Sequence, residues 1–362
     1  MEGASALRRF LLPALFVGAL FALLFLRGRN DVARTGEWTF RGPTMGTAWT
    51  VKIADPELEE ETRDAIETTI QQTVALVDQR MSNWKDDSEL SLLNRHDTSP
   101  YPVSGELLGV LDMAIEIHRL TGGAFDITVG PLVNAYGFGP GDPPRIPTED
   151  ELKDLMARTG LNKLTLNKNA GTATKKHTDL YFDLSGIAKG FAVDQVAAAL
   201  EELGHADYMI EIGGEIRTRG RNGSGEIWRI GVEQPDPTLR EAGRIIPLLD
   251  TAMATSGEYR NFIEIEGVRY SHTIDPRTGK PIDHHLASVS VLHQSCATAD
   301  GVATGLNVLG PDEGYELAVK HGIAALFILE RSNGSLIEHA TPAFEATLER
   351  TREAQQPDPV IP

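Results

Sequence analysis

The sequence predicts an α+β domain, a mostly antiparallel sheet with flanking helices. Short alternating or β-branched runs recur along the chain, and tight hairpin turns are expected at Glu266-Gly267 and Asn333-Gly334. Helical segments are interspersed among these runs without the strict alternation of a βαβ array. The 362 residues are 41% hydrophobic, enough for one large domain or two small ones with a buried core.

The first element is a candidate membrane anchor. Arg8 and Arg9 precede an apolar run from Phe10 to Leu26, interrupted only by Pro13 and Gly18. Its length is at the lower edge of a spanning helix, about 17–25 residues. The flank Arg27-Gly28-Arg29-Asn30 has no small-x-small cleavage pattern, which favours an uncleaved anchor over a removed signal. Residues 1–9 would stay cytoplasmic, although Arg27 and Arg29 weaken that orientation signal. The globular part is then expected outside the cytoplasm, on the periplasmic side of a bacterial inner membrane. The single cysteine, Cys296, rules out an intrachain disulfide framework. Residues 27–40 read as a polar linker, 41–349 as one continuous domain without repeats, and 350–362 as a frayed, disordered tail.

Within the domain, a helix is predicted over 57–81, where Ile66, Ile70, Val74, Val77 and Met81 share a face. A second runs over 104–120, capped by Ser104 and stopped by Gly122-Gly123. The capping box Thr148-x-x-Glu151 opens a third, which ends at Gly160. Others are expected over about 187–203, after Asp300 and from Pro311. Strands are predicted over 47–53, 208–212, 216–219, 227–232, 262–273, 287–292 and 324–330, and the Gly/Pro-rich stretch 137–147 is a long loop.

The formal net charge is −18 and there is no Lys/Arg stripe with interleaved aromatics, so the electrostatic footprint of a nucleic-acid binder is missing. Three segments carry candidate chemistry. In Asp300-Gly301-Val302-Ala303-Thr304-Gly305 a carboxylate and a hydroxyl stand four residues apart on one helix face. Two hard oxygen ligands of this kind suit Mg²⁺, which often binds one or two carboxylates plus substrate phosphates. An Asp N-cap followed by a surface Thr is the competing reading.

Asp183-Leu184-Ser185-Gly186-Ile187-Ala188-Lys189-Gly190 follows a strand-like stretch at 179–182 and opens an amphipathic helix. That order makes an anion site, to which Lys189 can add a charge. Asp183 could accept a hydrogen bond from a base or sugar, and the Gly186 carbonyl is free to face a metal. Ser/Gly turns without any ligand are also common, and the Gly-Lys-Ser/Thr order of a Walker loop is absent. His272, between a strand end and the Asp275-Pro276 turn, is either a satisfied polar residue or a general base, since its ordinary pKa of about 6.5 lets it take a hydroxyl proton at neutral pH. His284-His285 reads as a solvated loop pair without a third ligand.

Several separated segments together resemble the ApbE-type FAD:protein FMN transferases: Gly42-Pro43-Thr44-Met45-Gly46-Thr47, Met81-Ser82-Asn83-Trp84, Ser88-Glu89-Leu90-Ser91-Leu92-Leu93-Asn94, Gly122-Gly123-Ala124-Phe125-Asp126-Ile127-Thr128, and the segments around Asp183, His272 and Asp300. The resemblance covers roughly residues 39–330. It implies that family's own α+β fold, FAD as donor, Mg²⁺ as cofactor and a threonine hydroxyl of a partner protein as acceptor, for example in a subunit of a sodium-pumping NADH:quinone oxidoreductase or a related electron-transfer complex. It further implies FAD contacts from Met45, Trp84, Ala124, Phe125, Asp126, Asp183, Lys189 and Ile274, metal ligation by Gly186, Asp300 and Thr304, and His272 as base. Many members carry a lipidated N-terminal cysteine, which this sequence lacks, so a peptide anchor is implied. An envelope FAD pyrophosphatase giving FMN and AMP, or a non-enzymatic flavin-binding protein, would use the same pocket.

Overall fold

The computed structural model describes residues 36–139, 145–233, 242–257, 262–265 and 268–355. Eight strands form the central sheet: β1 (Glu37–Thr44), β2 (Thr47–Ala54), β3 (Tyr208–Ile212), β4 (Glu215–Arg219), β5 (Ala252–Gly257), β6 (Leu286–His293), β7 (Ala324–Glu330) and β8 (Leu336–Ala340). Their spatial order follows their chain order, and every adjacent pair is antiparallel. Successive strands therefore add to the same edge, and the intervening segments cover the faces.

Both faces are buried, with the period of two that a strand imposes. Along β7, Ala325, Phe327 and Leu329 enter the larger core, while Leu326 and Ile328 enter a second core on the opposite face. The larger core also holds the apolar faces of α1 (Glu60–Met81), α2 (Gly105–Leu120), α3 (Ala188–Glu202) and α4 (Cys296–Lys320). The second is closed by the hairpin Trp228–Glu233/Ala242–Leu248 and by α5 (Pro342–Glu353).

Local signals read from the sequence act as expected at several places. In α1 the buried residues are Ile66, Ile70, Val74, Val77 and Met81. Ser104 Oγ accepts the Leu107 N–H at the start of α2, and both halves of the Thr148/Glu151 capping box form. Asn333-Gly334 lies in the turn joining β7 to β8, with Gly334 at φ 78°.

Other expectations are corrected. β1 starts at Glu37, inside the stretch read as linker, and α5 continues through Glu353, into the stretch read as tail. The strand expected at 227–232 pairs outside the central sheet. The 262–273 run is two strands, Phe262–Ile265 and Val268–Ser271, paired with each other; the turn residues Glu266-Gly267 lie outside the described residues. Residues 180–184 belong to no strand. α4 begins at Cys296 with Ser295 as its cap, so Asp300 stands in the helix interior and not at its start. The expected second helix from Pro311 follows a break at Gly310, φ 77°.

The anchor expected over 10–26 lies outside the described residues. Among the described residues, no helix is long and apolar enough to cross a membrane.

Candidate active site

A cavity of about 1270 Å³ is bordered by the β1–β2 and β3–β4 turns, the segment after α2, the start of α3, β5, the hairpin segment before β6, and α4. Met45, Trp84, Ala124, Phe125, Asp126, Asp183, Gly186, Lys189, His272, Ile274, Asp300 and Thr304 all line it. The volume exceeds the roughly 300–1,000 Å³ of ordinary small-molecule pockets, as a dinucleotide-sized ligand needs.

Strand geometry opens the space between β4 and β5. These neighbours pair only at Ala252↔Arg217 and Met253↔Ile216. Beyond that point Gly213, Gly214 and Glu215 on one side, and Thr255, Ser256 and Gly257 on the other, border the cavity.

Two tight turns shape the same region. Thr44 pairs with Thr47, leaving Met45 (φ 45°) and Gly46 (φ 71°) as a two-residue turn with both φ positive. A methionine in that conformation is strained, and such strain concentrates at ligand sites. Gly213-Gly214 makes the corresponding turn between β3 and β4 without that strain. Trp84 is 71% exposed at the cavity rim.

The interior is charged. Lys189 Nζ pairs with Glu215 Oε1 at 2.6 Å, and Asp300 accepts the Gly190 N–H on Oδ2 at 3.0 Å. Burial disfavours the Lys189 ammonium, yet the Asp300 and Glu215 carboxylates outweigh it and push its pKa up. Burial raises the Asp300 and Glu215 carboxyls, against the pull of Lys189. Two carboxylates thus share one ammonium, and Glu215 Oε2 is buried without a hydrogen-bond partner. Lys189, expected as a spare charge for phosphates, is already engaged by Glu215.

Gly186 and Thr304 meet directly: a Cβ added to Gly186 would stand 3.1 Å from Thr304 Oγ1. α3 begins there with no side-chain cap; its Ala188 N–H is taken by the Leu184 carbonyl and its Gly190 N–H by Asp300, so this end offers the cavity the positive end of the helix dipole.

Some expected contacts have other work as well. Asp126 Oδ1 accepts from Thr128 N at 2.8 Å and Oγ1 at 2.6 Å, and Oδ2 accepts from Leu161 N at 3.3 Å. Its carboxylate therefore orders its own loop, and the strip's backbone is held as well, with the Ala124 and Phe125 N–H groups on Thr121 and the Asp126 carbonyl on the Val129 N–H. Asp183 Oδ1 accepts from Ser185 N and Oγ, at 2.9 and 2.6 Å. His272 follows the strand Val268–Ser271 and faces the Phe138 ring edge-on, with centroids 6.3 Å apart. His284, read as solvated, is half-buried: its Nε2 lies 2.8 Å from the Asn307 carbonyl, near the break in α4. Glu215 was not read from the sequence, although the Gly-Gly turn between two strand-like runs marked its neighbourhood.

The sequence model of the ApbE family matches residues 45–327. The chain belongs to the ApbE family. A FAD:protein FMN transferase of Vibrio cholerae serotype O1 is 44% identical over 335 residues, covering 92% of this chain and 98% of that one. The FAD:protein FMN transferase of Escherichia coli (strain K12) is 36% identical over 342 residues, covering 92% and 97%. Among solved structures, Flavin Transferase ApbE from Vibrio cholerae matches with a TM-score of 0.78 at 43% identity, covering 86% of this chain and 98% of that one. Pseudomonas stutzeri flavinyl transferase ApbE, apo form, also matches with a TM-score of 0.78, at 35% identity, covering 86% and 96%. The antiparallel sheet with flanking helices is thus the ApbE-like fold.

The residues of this ApbE-family site fit a hard divalent cation. Asp300 and Thr304 line the cavity with a carboxylate and a hydroxyl, Gly186 lies against Thr304, and the carboxylates lining the cavity outnumber its lysines. Among the described residues no cluster of three His, Cys, Asp or Glu could hold a metal, so further ligands would come from phosphate oxygens or water.

Proposed function

We propose that this chain is a Mg²⁺-dependent FAD:protein FMN transferase that attaches FMN to a threonine hydroxyl of an acceptor protein and releases AMP. The observation that carries the reading is convergence: residues matching the family pattern, spread from Met45 to Thr304, line one cavity that also holds His272.

Asp300, Thr304 and the Gly186 carbonyl would hold Mg²⁺, which when bound neutralises charge on pyrophosphate oxygens. The positive end of the α3 dipole favours the negative charge of the phosphates beside it. Met45, Trp84, the Ala124–Asp126 strip, Asp183 and Ile274 flank the remaining space and orient the nucleotide. His272 takes the proton of the threonine hydroxyl as its oxygen attacks the FMN phosphorus. The bond from that phosphorus to the bridging oxygen breaks, and AMP departs with the oxygen.

On the same reading, the domain faces the periplasm from the bacterial inner membrane, and the acceptor is a subunit of a sodium-pumping NADH:quinone oxidoreductase or a related electron-transfer complex. These assignments rest on residues 1–26 and on the family resemblance.

Mass spectrometry of a candidate acceptor after incubation with the chain, FAD and Mg²⁺ tests the activity. The acceptor should gain the mass of FMN on threonine while AMP accumulates. FMN and AMP appearing with no adduct would instead identify a FAD pyrophosphatase.

A further inference from the structure

The Ser88–Asn94 segment takes no part in the chemistry above, yet its helix, Glu89–Arg95, is tied at both ends to the cavity wall. At the N-terminal end, Ser88 Oγ donates to the Ser82 carbonyl at 2.5 Å and Ser91 Oγ to the same oxygen at 3.3 Å. Ser82, Asn83 and Trp84 border the cavity. At the C-terminal end, the Asn94 amide pairs with the Phe182 backbone in both senses: Phe182 N–H donates to Oδ1 at 2.7 Å, and Nδ2 donates to the Phe182 carbonyl at 2.9 Å. The next residue is Asp183.

Lys175 completes the arrangement. It is 1% exposed, and its Nζ donates to the carbonyls of Asn94 (2.7 Å), Thr178 (2.7 Å) and Leu180 (3.2 Å). No carboxylate lies within ion-pair distance of it among the described residues, and burial pushes its pKa down from the usual lysine range. A buried ammonium neutralised by no direct partner is a costly way to satisfy carbonyls. The adjoining stretch, residues 180–184, belongs to no helix or strand, so these side chains replace the hydrogen bonds a sheet would supply.

We infer that Asn94 and Lys175 are positioning residues for the nucleotide site, holding the Asp183–Gly186 turn in register with Trp84 through the short helix between them. Neither touches the ligand. They fix the backbone that presents Asp183 and Gly186, so their loss makes binding re-order that segment at the expense of affinity. This inference rests on the reading of the cavity as the FAD site.

The test uses the full chain in detergent with Asn94→Leu, Lys175→Met and, as a control in the core on the opposite sheet face, Phe344→Leu. FAD affinity by calorimetry, KM for FAD, KM for the acceptor and thermal midpoint are measured where each protein remains folded. Asn94→Leu and Lys175→Met should weaken FAD binding by roughly five- to a hundred-fold, the span of one lost buried hydrogen-bonding group, and raise KM for FAD while leaving KM for the acceptor. Phe344→Leu should lower the midpoint and leave FAD affinity unchanged. If Asn94→Leu does not fold, Asn94→Asp, which keeps the acceptor for Phe182 N–H, takes its place with the same expectation. Parent-like FAD affinity in the folded variants overturns the positioning role alone. A parent protein that binds no FAD overturns the site reading beneath it.

Discussion

His272 and Asp300 line the same cavity, and on the proposed mechanism they serve different steps, which substitution should separate. His272→Asn should slow FMN transfer by about 10²–10⁴-fold, the usual size of a lost acid–base group, and leave calorimetric FAD affinity within a factor of about two. A variant that transfers at the parent rate would remove the base from the mechanism. Asp300 is the more instructive position because its burial changes what substitution does. As an exposed helix cap it could be truncated cheaply, but it is 5% exposed and accepts the Gly190 N–H. Asp300→Asn keeps an acceptor and deletes the surplus charge shared by Lys189, Glu215 and Asp300. The metal-free protein should therefore hold or gain stability, by up to about 1–2 kcal/mol, whereas the rise in thermal midpoint caused by adding Mg²⁺ should vanish. Thermal melts with and without Mg²⁺ check both halves. An unchanged Mg²⁺-dependent rise would show that Asp300 is not the metal ligand.

The crossing of α3 and α4 sets the distance between the turn at Gly186–Lys189 and Asp300. Asp194 of α3 caps α4 from outside, accepting the Cys296 and Ala297 N–H groups at 3.0 and 3.1 Å, and Arg217 holds Asp194 at 2.6 Å. Gly190 makes the crossing possible, since a Cβ there would fall 2.4 Å from the Cys296 carbonyl oxygen, a backbone atom that cannot rotate away. Gly190→Ala should cost about 2–3 kcal/mol by forcing the helices apart. It should also weaken FAD and Mg²⁺ binding together, because Lys189 and Asp300 belong to the separated elements. Denaturant titration and calorimetry measure the two effects; full stability with parent affinity would mean the helices tolerate a wider crossing.

For the whole molecule, residues 10–26 are proposed to anchor the domain to a membrane. The full chain is expected to sediment with membranes, to resist extraction by salt and to be released by detergent, because an apolar run without lipidation or cleavage signal holds by burial in lipid. A soluble mature form beginning after Leu26, shown by N-terminal sequencing, would reverse that assignment.

Local chemistry determined much of this protein. Helix caps at Ser104 and Thr148, the apolar face of α1 and the Asn333-Gly334 turn were legible because each depends on residues a few positions apart. The cavity residues were legible through family resemblance, because each motif is a short local string. What the tertiary structure decided is long-range. The 179–182 stretch has strand-like residues, but the Asn94 amide, 88 residues away, takes the Phe182 hydrogen bonds that a strand neighbour would make, while Lys175, 5 residues away, takes the Leu180 carbonyl. Asp300 read as a possible cap because a helix was expected to begin there, while the true cap, Ser295, is reinforced by Asp194 from another helix. Glu215 gained its role only when folding brought Lys189 to within 2.6 Å. A buried charge acquires its partner, and hence its chemistry, from contacts that sequence spacing does not encode.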